Sequence, residues 1–323
     1  MKQEAVAVLG AGAWGTALAM VLAQNNHRVH LWEFDHSHYE QLKQQHVSRY
    51  LPGHILPDTL LPFCDLAESL ENVRDVLVVV PSHVFQTTLM NLRPLWKAPM
   101  RLAWATKGLI PPNRLAQEVI NDVLGPQVER AIVTGPTFAN EVAQGLPSAV
   151  LVASPDKAYA KAWAEKLSRP YFHVETSQDM VGAQVAGVVK NVLAIATGMC
   201  DGLGYGANTR CALMTRGLQE MIRLGEVMGA KKDTFLTVAG VGDLILTCTD
   251  NQSRNRRFGL ALGQGQTVEE AQATVGLLVE GYHNTQALQG LAEQYQLNLP
   301  IIRNMYEVLT QGLAAKTAVE QWW

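Results

Sequence analysis

The sequence predicts an α/β protein: an N-terminal doubly wound Rossmann domain over residues 1–178, then an all-α C-terminal domain over residues 179–323. Three observations carry this. Seven compact apolar runs occupy the first half: AVAVLG (5–10), RVHLWE (28–33), DVLVVVP (75–81), RLAWAT (101–106), AIVTG (131–135), SAVLVA (148–153) and YFHVET (171–176). Helix-length segments such as 14–26 and 113–123 separate most of them. Strands apolar on both faces with helical crossovers form a parallel sheet covered on both sides. After about residue 178 the β-branched runs stop, and Ala, Leu, Met and Gln carry expected helices at 178–200, 208–229, 256–264, 267–273, 281–295 and 299–312. No repeat, low-complexity tract or linker intervenes, so the boundary is expected to be a direct strand-to-helix junction near 177–180. The crevice between two such domains is the expected active site.

The first element is the most informative. VLGAGAWGTALA places Gly10, Gly12 and Gly15 after a strand and at the start of a helix. In this context the three glycines serve a tight turn, a close backbone approach to a pyrophosphate, and close helix–strand packing. The phosphates then meet the open N–H groups and positive end of the helix. Trp14 lies in the same loop. The second strand ends in LWEFD, with Glu33 18 residues after Gly15, where an acid accepts hydrogen bonds from the adenosine ribose. That favours NAD, although Arg28, His36 and His38 offer compensating positive charge, and a solvated strand end is the plain alternative for Glu33. In VVVPSH, Pro81 and Ser82 end the third strand, beside the expected nicotinamide ribose.

Composition narrows the function. The 323 residues are 48% hydrophobic and 17% charged, with a net charge of −3. There is no basic stripe, which argues against nucleic acid as a partner. Cys64, Cys200, Cys211 and Cys248 are widely spaced and form no C-x-x-C pair, so reduced thiols in a cytoplasmic enzyme are expected. His36 and His38 lack further ligands nearby and read as a solvated loop, so no metal is expected. Residues 5–23 are nearly uncharged, but the glycine motif, Glu4 and the absence of a second long apolar run argue against a leader or membrane span.

The expected helix AQVAGVVKNVLAIATG (183–198) is small and apolar, yet Lys190 and Asn191 sit inside it. A buried ammonium is costly unless paired, and burial makes its pKa adjustable. The alternative is a lysine that snorkels to water. VGDLILTCT spaces Asp243 and Thr247 four apart on one helical face, and Ser253, Arg254, Asn255, Arg256 and Arg257 follow. Arg256 and Arg257 also read as solvated surface. Lys107 and the TGPT turn with Gly135, Pro136 and Thr137 end two Rossmann strands. Cations and N–H donors of this kind suit a phosphorylated substrate. The set fits hydride transfer coupled to proton transfer, with Lys190 as general base or acid, Asp243 orienting it, and Thr247 and Asn191 fixing substrate hydroxyls.

These residues make the chain resemble the bacterial-type NAD(P)-dependent glycerol-3-phosphate dehydrogenases. The blocks GAGAWGTALA, RYLPGHILP, ATKGL, TGPTFANEVAQGLPSA, KNVLAIATGMCDGLGYGANTRCAL, GVGDLILTCT, SRNRRFG and VEGYHN fall in family order over nearly the whole chain. The resemblance implies interconversion of sn-glycerol 3-phosphate and dihydroxyacetone phosphate, with Lys190 as proton acceptor. It implies substrate contacts at Lys107, Gly135, Thr137, Lys190, Asp243, Ser253, Arg254 and Asn255. Coenzyme contacts are implied at Ala13, Trp14, Phe34, Lys107, Ala139, Arg254, Leu278 and Glu280. It further implies a homodimer that feeds phospholipid synthesis. Relatives that take NADPH often carry Arg or His where this chain has Glu33–Phe34, and some carry Ser at position 13. Rival readings are another two-domain hydroxyacid or phosphogluconate-type dehydrogenase, or a non-catalytic NAD(H)-sensing module.

Overall fold

The computed structural model describes residues 4–276 and 279–322. It resolves into two compact units. One runs through Thr106 and includes Leu115–Met180; the other contains Lys107–Arg114 and the chain from Val181 onward.

The first unit is built on an eight-stranded sheet. Its strands are β1 (Ala5–Leu9), β2 (Arg28–Trp32), β5 (Leu60–Phe63), β6 (Val73–Val78), β7 (Arg101–Trp104), β8 (Arg130–Thr134), β9 (Ser148–Ala153) and β10 (Phe172–Ser177). A separate two-stranded hairpin pairs β3 (Val47–Ser48) with β4 (Leu51–Ile55). The sheet order is β10-β9-β8-β7-β6-β1-β2-β5. The step from β6 across β1 to β2 is the doubly wound topology expected of a dinucleotide-binding domain. Every residue of β1 is buried, as a central strand covered on both faces requires.

The sheet departs from the expected all-parallel arrangement at one seam. β8 and β9 pair antiparallel, with Val133 opposite Val152, and β10 then runs parallel to β9. The connection from β8 to β9 holds only the short helix Ala139–Ala143. An antiparallel neighbour needs no long crossover, so this link suffices. The edge strand β5 and the β3–β4 hairpin lie outside the seven apolar runs of the sequence.

The helices of this unit are α1 (Ala13–Gln24), α2 (His36–Gln45), α3 (Leu66–Ser69), α4 (Ser82–Leu92), α5 (Ala116–Leu124), α6 (Ala139–Ala143) and α7 (Lys157–Leu167). Gly15–Ala23 of α1 are buried, so this helix is apolar nearly all round because it is core. Asp156 caps α7, accepting the Ala158 N–H at 2.7 Å.

The second unit is helical: α8 (Met180–Gly202), α9 (Ala207–Val227), α10 (Asp243–Thr249), α11 (Arg254–Gly263), α12 (Val268–Val275), α13 (Glu280–Gln294), α14 (Pro300–Gln311) and α15 (Ala315–Glu320). A π-helical turn at Val238–Gly242 leads into α10. Thr267 and Glu270 form a reciprocal capping box at the start of α12. Glu220 reaches from α9 to accept the Ile301 and Ile302 N–H groups at the start of α14. α8 is itself long and apolar, a second such run besides residues 5–23, but its apolar stretch is 94% buried within the fold. It is the central helix of this unit rather than an exposed span.

Candidate active site

Lys190 lies in the middle of α8 and is 5% exposed. Its ammonium does not escape to water. Nζ donates to Asp243 Oδ1 at 2.6 Å and to Thr247 Oγ1 at 2.9 Å. Thr247 in turn donates to Asp243 Oδ1 at 3.2 Å, closing a three-membered ring of hydrogen bonds. The spacing of Asp243 and Thr247, one turn apart on α10, is what lets both face the same amine. The second oxygen of Asp243 accepts Lys107 Nζ at 3.0 Å, so one carboxylate holds two lysines. That link groups the Lys107 segment with the helical unit, and Asn284 Oδ1 anchors the same segment by accepting the Leu109 N–H at 3.0 Å.

Burial dominates the electrostatics. It pushes the Lys190 amine down to about 8, against the opposing pull of Asp243, and the nearby Lys107 charge assists the drop. Burial alone would raise Asp243, but Lys107 and Lys190 hold its carboxyl below the usual range. The result is an ammonium that gives up its proton near neutrality beside a carboxylate that keeps its charge.

Asn191 continues the site along α8. Its Oδ1 accepts Asn255 Nδ2 at 3.0 Å, and Asn255 Oδ1 accepts the Gly281 N–H at 2.9 Å. Ser253 caps α11 by accepting the Arg256 N–H at 3.2 Å. Arg254, the first residue of α11, is exposed, and Glu280 at the start of α13 is the opposite charge acting on it. Arg256 differs from the solvated reading: it is 7% exposed and its Nη1 meets Asp201 Oδ2, which also accepts Arg210.

The first unit carries the remaining predicted positions. Gly10 has φ +114, and a Cβ there would lie 2.7 Å from the Val79 carbonyl oxygen. A Cβ on Gly15 would lie 1.9 Å from the Gly10 carbonyl oxygen, so helix α1 sits directly on the turn. Gly12 caps α1 with no side-chain bond to its first-turn N–H groups, and a Cβ there would meet nothing within 4 Å. Ala13 and Trp14 open the helix, and the buried Trp14 Nε1 has no partner. Open N–H groups, free backbone approach and an orphaned indole donor fit a dinucleotide pyrophosphate. Gly135 follows β8, its carbonyl accepts Thr137 Oγ1 at 3.2 Å, and Ala139 begins α6.

The end of β2 is arranged unlike the sequence expectation. Glu33 is 5% exposed. Its Oε1 accepts the Asp35 N–H at 2.9 Å, and its Oε2 lies 2.7 Å from His38 Nδ1. His38 is fully buried rather than in a solvated loop, with Nε2 3.1 Å from Ser48 Oγ. Phe34 is the exposed residue here, at 78%. Leu278 lies outside the described residues. Among the described residues no group of three or more His, Cys, Asp or Glu is placed to hold a metal ion.

Comparison with known proteins bears on this arrangement. Residues 5–160 match the family model for the NAD-dependent glycerol-3-phosphate dehydrogenase N-terminus, and residues 179–320 match the model for its C-terminus. The chain belongs to the NAD-dependent glycerol-3-phosphate dehydrogenase family. It is therefore an NAD(P)-dependent oxidoreductase. It is 49% identical over 322 residues to a glycerol-3-phosphate dehydrogenase [NAD(P)+] of Vibrio cholerae serotype O1, covering 99% of this chain and 94% of the relative. A relative of the same description from Coxiella burnetii is 47% identical over 98% of this chain and 95% of its own length. The crystal structure of a Coxiella burnetii glycerol-3-phosphate dehydrogenase superposes with a TM-score of 0.96 at 46% identity, covering 99% of this chain and 98% of that one. A D-mandelate dehydrogenase shares the fold alone, with a TM-score of 0.62 at 14% identity.

Proposed function

We propose that the protein interconverts sn-glycerol 3-phosphate and dihydroxyacetone phosphate with NAD(P), using Lys190 as general acid and base. One observation carries this reading: a lysine amine, buried and drawn down to about 8, bonded to Asp243 at 2.6 Å and Thr247 at 2.9 Å. Bound nicotinamide supplies the hydride chemistry. In the oxidative direction the free amine of Lys190 takes the carbinol proton as the carbonyl forms. In the reductive direction the ammonium donates that proton as negative charge develops on the ketone oxygen. Asp243 keeps the amine aimed and stabilises its charged form. Thr247 and Asn191 position the substrate hydroxyls. Lys107 and Arg254, with Ser253, Asn255, Gly135 and Thr137, bind the phosphorylated substrate. The coenzyme contacts we assign are Gly10, Gly12, Ala13, Trp14, Gly15, Phe34, Ala139 and Glu280, with Lys107 and Arg254 shared and Leu278 added by resemblance; the carboxylate of Glu33 is set aside because the Asp35 N–H and His38 occupy its two oxygens.

Family membership supports the reaction and the phosphate ester as substrate. We assign the domains to residues 1–178 and 179–323, with the Lys107–Arg114 segment grouped with the second, and the protein's role to supplying glycerol phosphate for phospholipid synthesis as a cytoplasmic homodimer. The test is an initial-rate assay with dihydroxyacetone phosphate and either reduced coenzyme. Turnover of this ketone is expected and, in the oxidative direction with NAD+ or NADP+, turnover of glycerol 3-phosphate but not of 3-hydroxyacids or phosphogluconate. The reverse preference would overturn the substrate, and binding of coenzyme without turnover of any would overturn catalysis.

A further inference from the structure

Building on that coenzyme reading, we propose that an exposed ion pair, Asp35–Arg49, reads the adenosine ribose, with Asp35 accepting from the diol of NADH and Arg49 holding the 2′-phosphate of NADPH. Glu33 is the acid a Rossmann sequence offers for this task. Here its two oxygens are turned inward, onto the Asp35 N–H and His38. Asp35 lies 20 residues after Gly15, the usual distance for the ribose-reading acid. Its side chain is 33% exposed, against 6% for that of Glu33. Of the two acids at this strand end, Asp35 is the one facing water.

The arginine comes from a different element. Arg49 sits at the tip of the β3–β4 hairpin, 37% exposed, with Nη2 2.5 Å from Asp35 Oδ2. Its guanidinium lies 5.0 Å over the Tyr50 ring, and Nη2 is 3.1 Å from the Tyr50 hydroxyl. The buried relay explains why the hairpin tip is fixed at this place. His38 joins Glu33 at the strand end to Ser48 in the hairpin, and Ser48 Oγ also accepts the Tyr50 N–H at 3.2 Å. The relay sequesters one acid and positions one arginine.

The chemistry separates the two coenzymes. A ribose 2′-hydroxyl donates to a carboxylate, whereas a 2′-phosphate is repelled by it and is matched by a planar guanidinium fork. The Ser37 hydroxyl, then Arg49, hold the Asp35 carboxyl well below the usual range, so it is charged at neutral pH. An exposed pair of this kind is weak and opens readily, which leaves Arg49 available to a phosphate. Both coenzymes are therefore accepted, each through its own residue.

The experiment is a fluorescence titration of NADH and NADPH into the free enzyme, without substrate, with 2′,5′-ADP as a competing probe. Arg49→Ala is expected to weaken NADPH and 2′,5′-ADP by about ten- to a hundredfold and NADH by less than about twofold. Asp35→Asn keeps an oxygen to cap α2, where Asp35 accepts the Ser37 and His38 N–H groups. It is expected to weaken NADH several-fold while NADPH is unchanged or tightened. Arg49→Lys should restore part of the NADPH affinity. Equal effects on both coenzymes, or no effect on either, would overturn the assignment. A wild-type chain that binds neither reduced coenzyme nor 2′,5′-ADP overturns the coenzyme reading itself.

Discussion

Replacing Lys190 by Met removes the amine and keeps most of the buried volume. The amine is drawn from an ordinary 10.5 to about 8. At pH 7 roughly one wild-type molecule in ten therefore carries the free base, against roughly one in three thousand for an unperturbed lysine. The site gains about 300-fold in available base, and the variant forfeits all of it. The expected fall in kcat for glycerol 3-phosphate oxidation is about 10²–10⁴-fold, the size of a general base. The fold should survive, because Asp243 still holds Lys107 at 3.0 Å and is not left as an unpaired buried charge. Coenzyme titration and circular dichroism should match wild type. The wild-type kcat/KM for oxidation should rise about tenfold per pH unit below 8 and level off above it, and Lys190→Met should abolish this limb. A variant within tenfold of wild type, or one retaining the limb, would refute the assignment of the base.

Other substitutions probe the surroundings. Lys107→Met removes a cation that helps draw Lys190 down, so the pH limb should move to higher pH, read from the same rate profile. Gly259→Ala puts a Cβ 1.9 Å from the Ile195 carbonyl oxygen and should cost about 1–3 kcal/mol in a denaturant melt. Burial pushes the Glu220 carboxyl above its ordinary 4.5 in the fold, despite two amide donors. A raised folded value means that stability is fully present below the unfolded value and falls as pH rises through the folded one. Wild-type Tm should therefore decline from about pH 4.5 upward, and Glu220→Gln should flatten that decline. Gly281→Ala places a Cβ 2.7 Å from the Asn191 carbonyl oxygen and should raise KM for the phosphorylated substrate, read in the same initial-rate assay.

The legible parts of this protein are those where one residue pattern has one physical outcome. Strands such as β1 and β6 are buried on both faces and read as apolar runs; α8 and α9 are long enough for composition to decide. β5 was missed because LLPF is four residues with a proline, which an edge strand tolerates and a central one does not. The reversal at β9 was invisible because strand direction leaves no mark on composition. Within the site, the 243/247 pair was legible from helical spacing, whereas its meeting with Lys190, 53 residues distant, followed only from the need of a buried ammonium for a partner. The second lysine on Asp243 had no local signal. Nor did the inward turn of Glu33, since a strand-end acid looks the same in sequence whether it faces water or a buried histidine. His38, two residues from His36, gave no hint that one would be interior.

Why Lys190 stays buried follows from the glycines around it. A Cβ on Gly198 would sit 2.1 Å from the Arg256 carbonyl oxygen; one on Gly263 would sit 2.2 Å from that of Met199. With Gly259 and Gly281, these positions let α11 and α13 approach the backbone of α8 more closely than side chains allow. Water is kept from the middle of α8, and the amine is left with Asp243 and Thr247 in place of a hydration shell. The fold carries a cost for this. A drop from 10.5 to about 8 means that holding the charge is about 3 kcal/mol worse than in water. A lysine snorkelling from the helix edge would cost less, but its amine would remain protonated near pH 7 and would be a poor base. The small-residue seam and the perturbed amine are thus one feature: the close packing that looks like ordinary core economy is what makes the proton mobile.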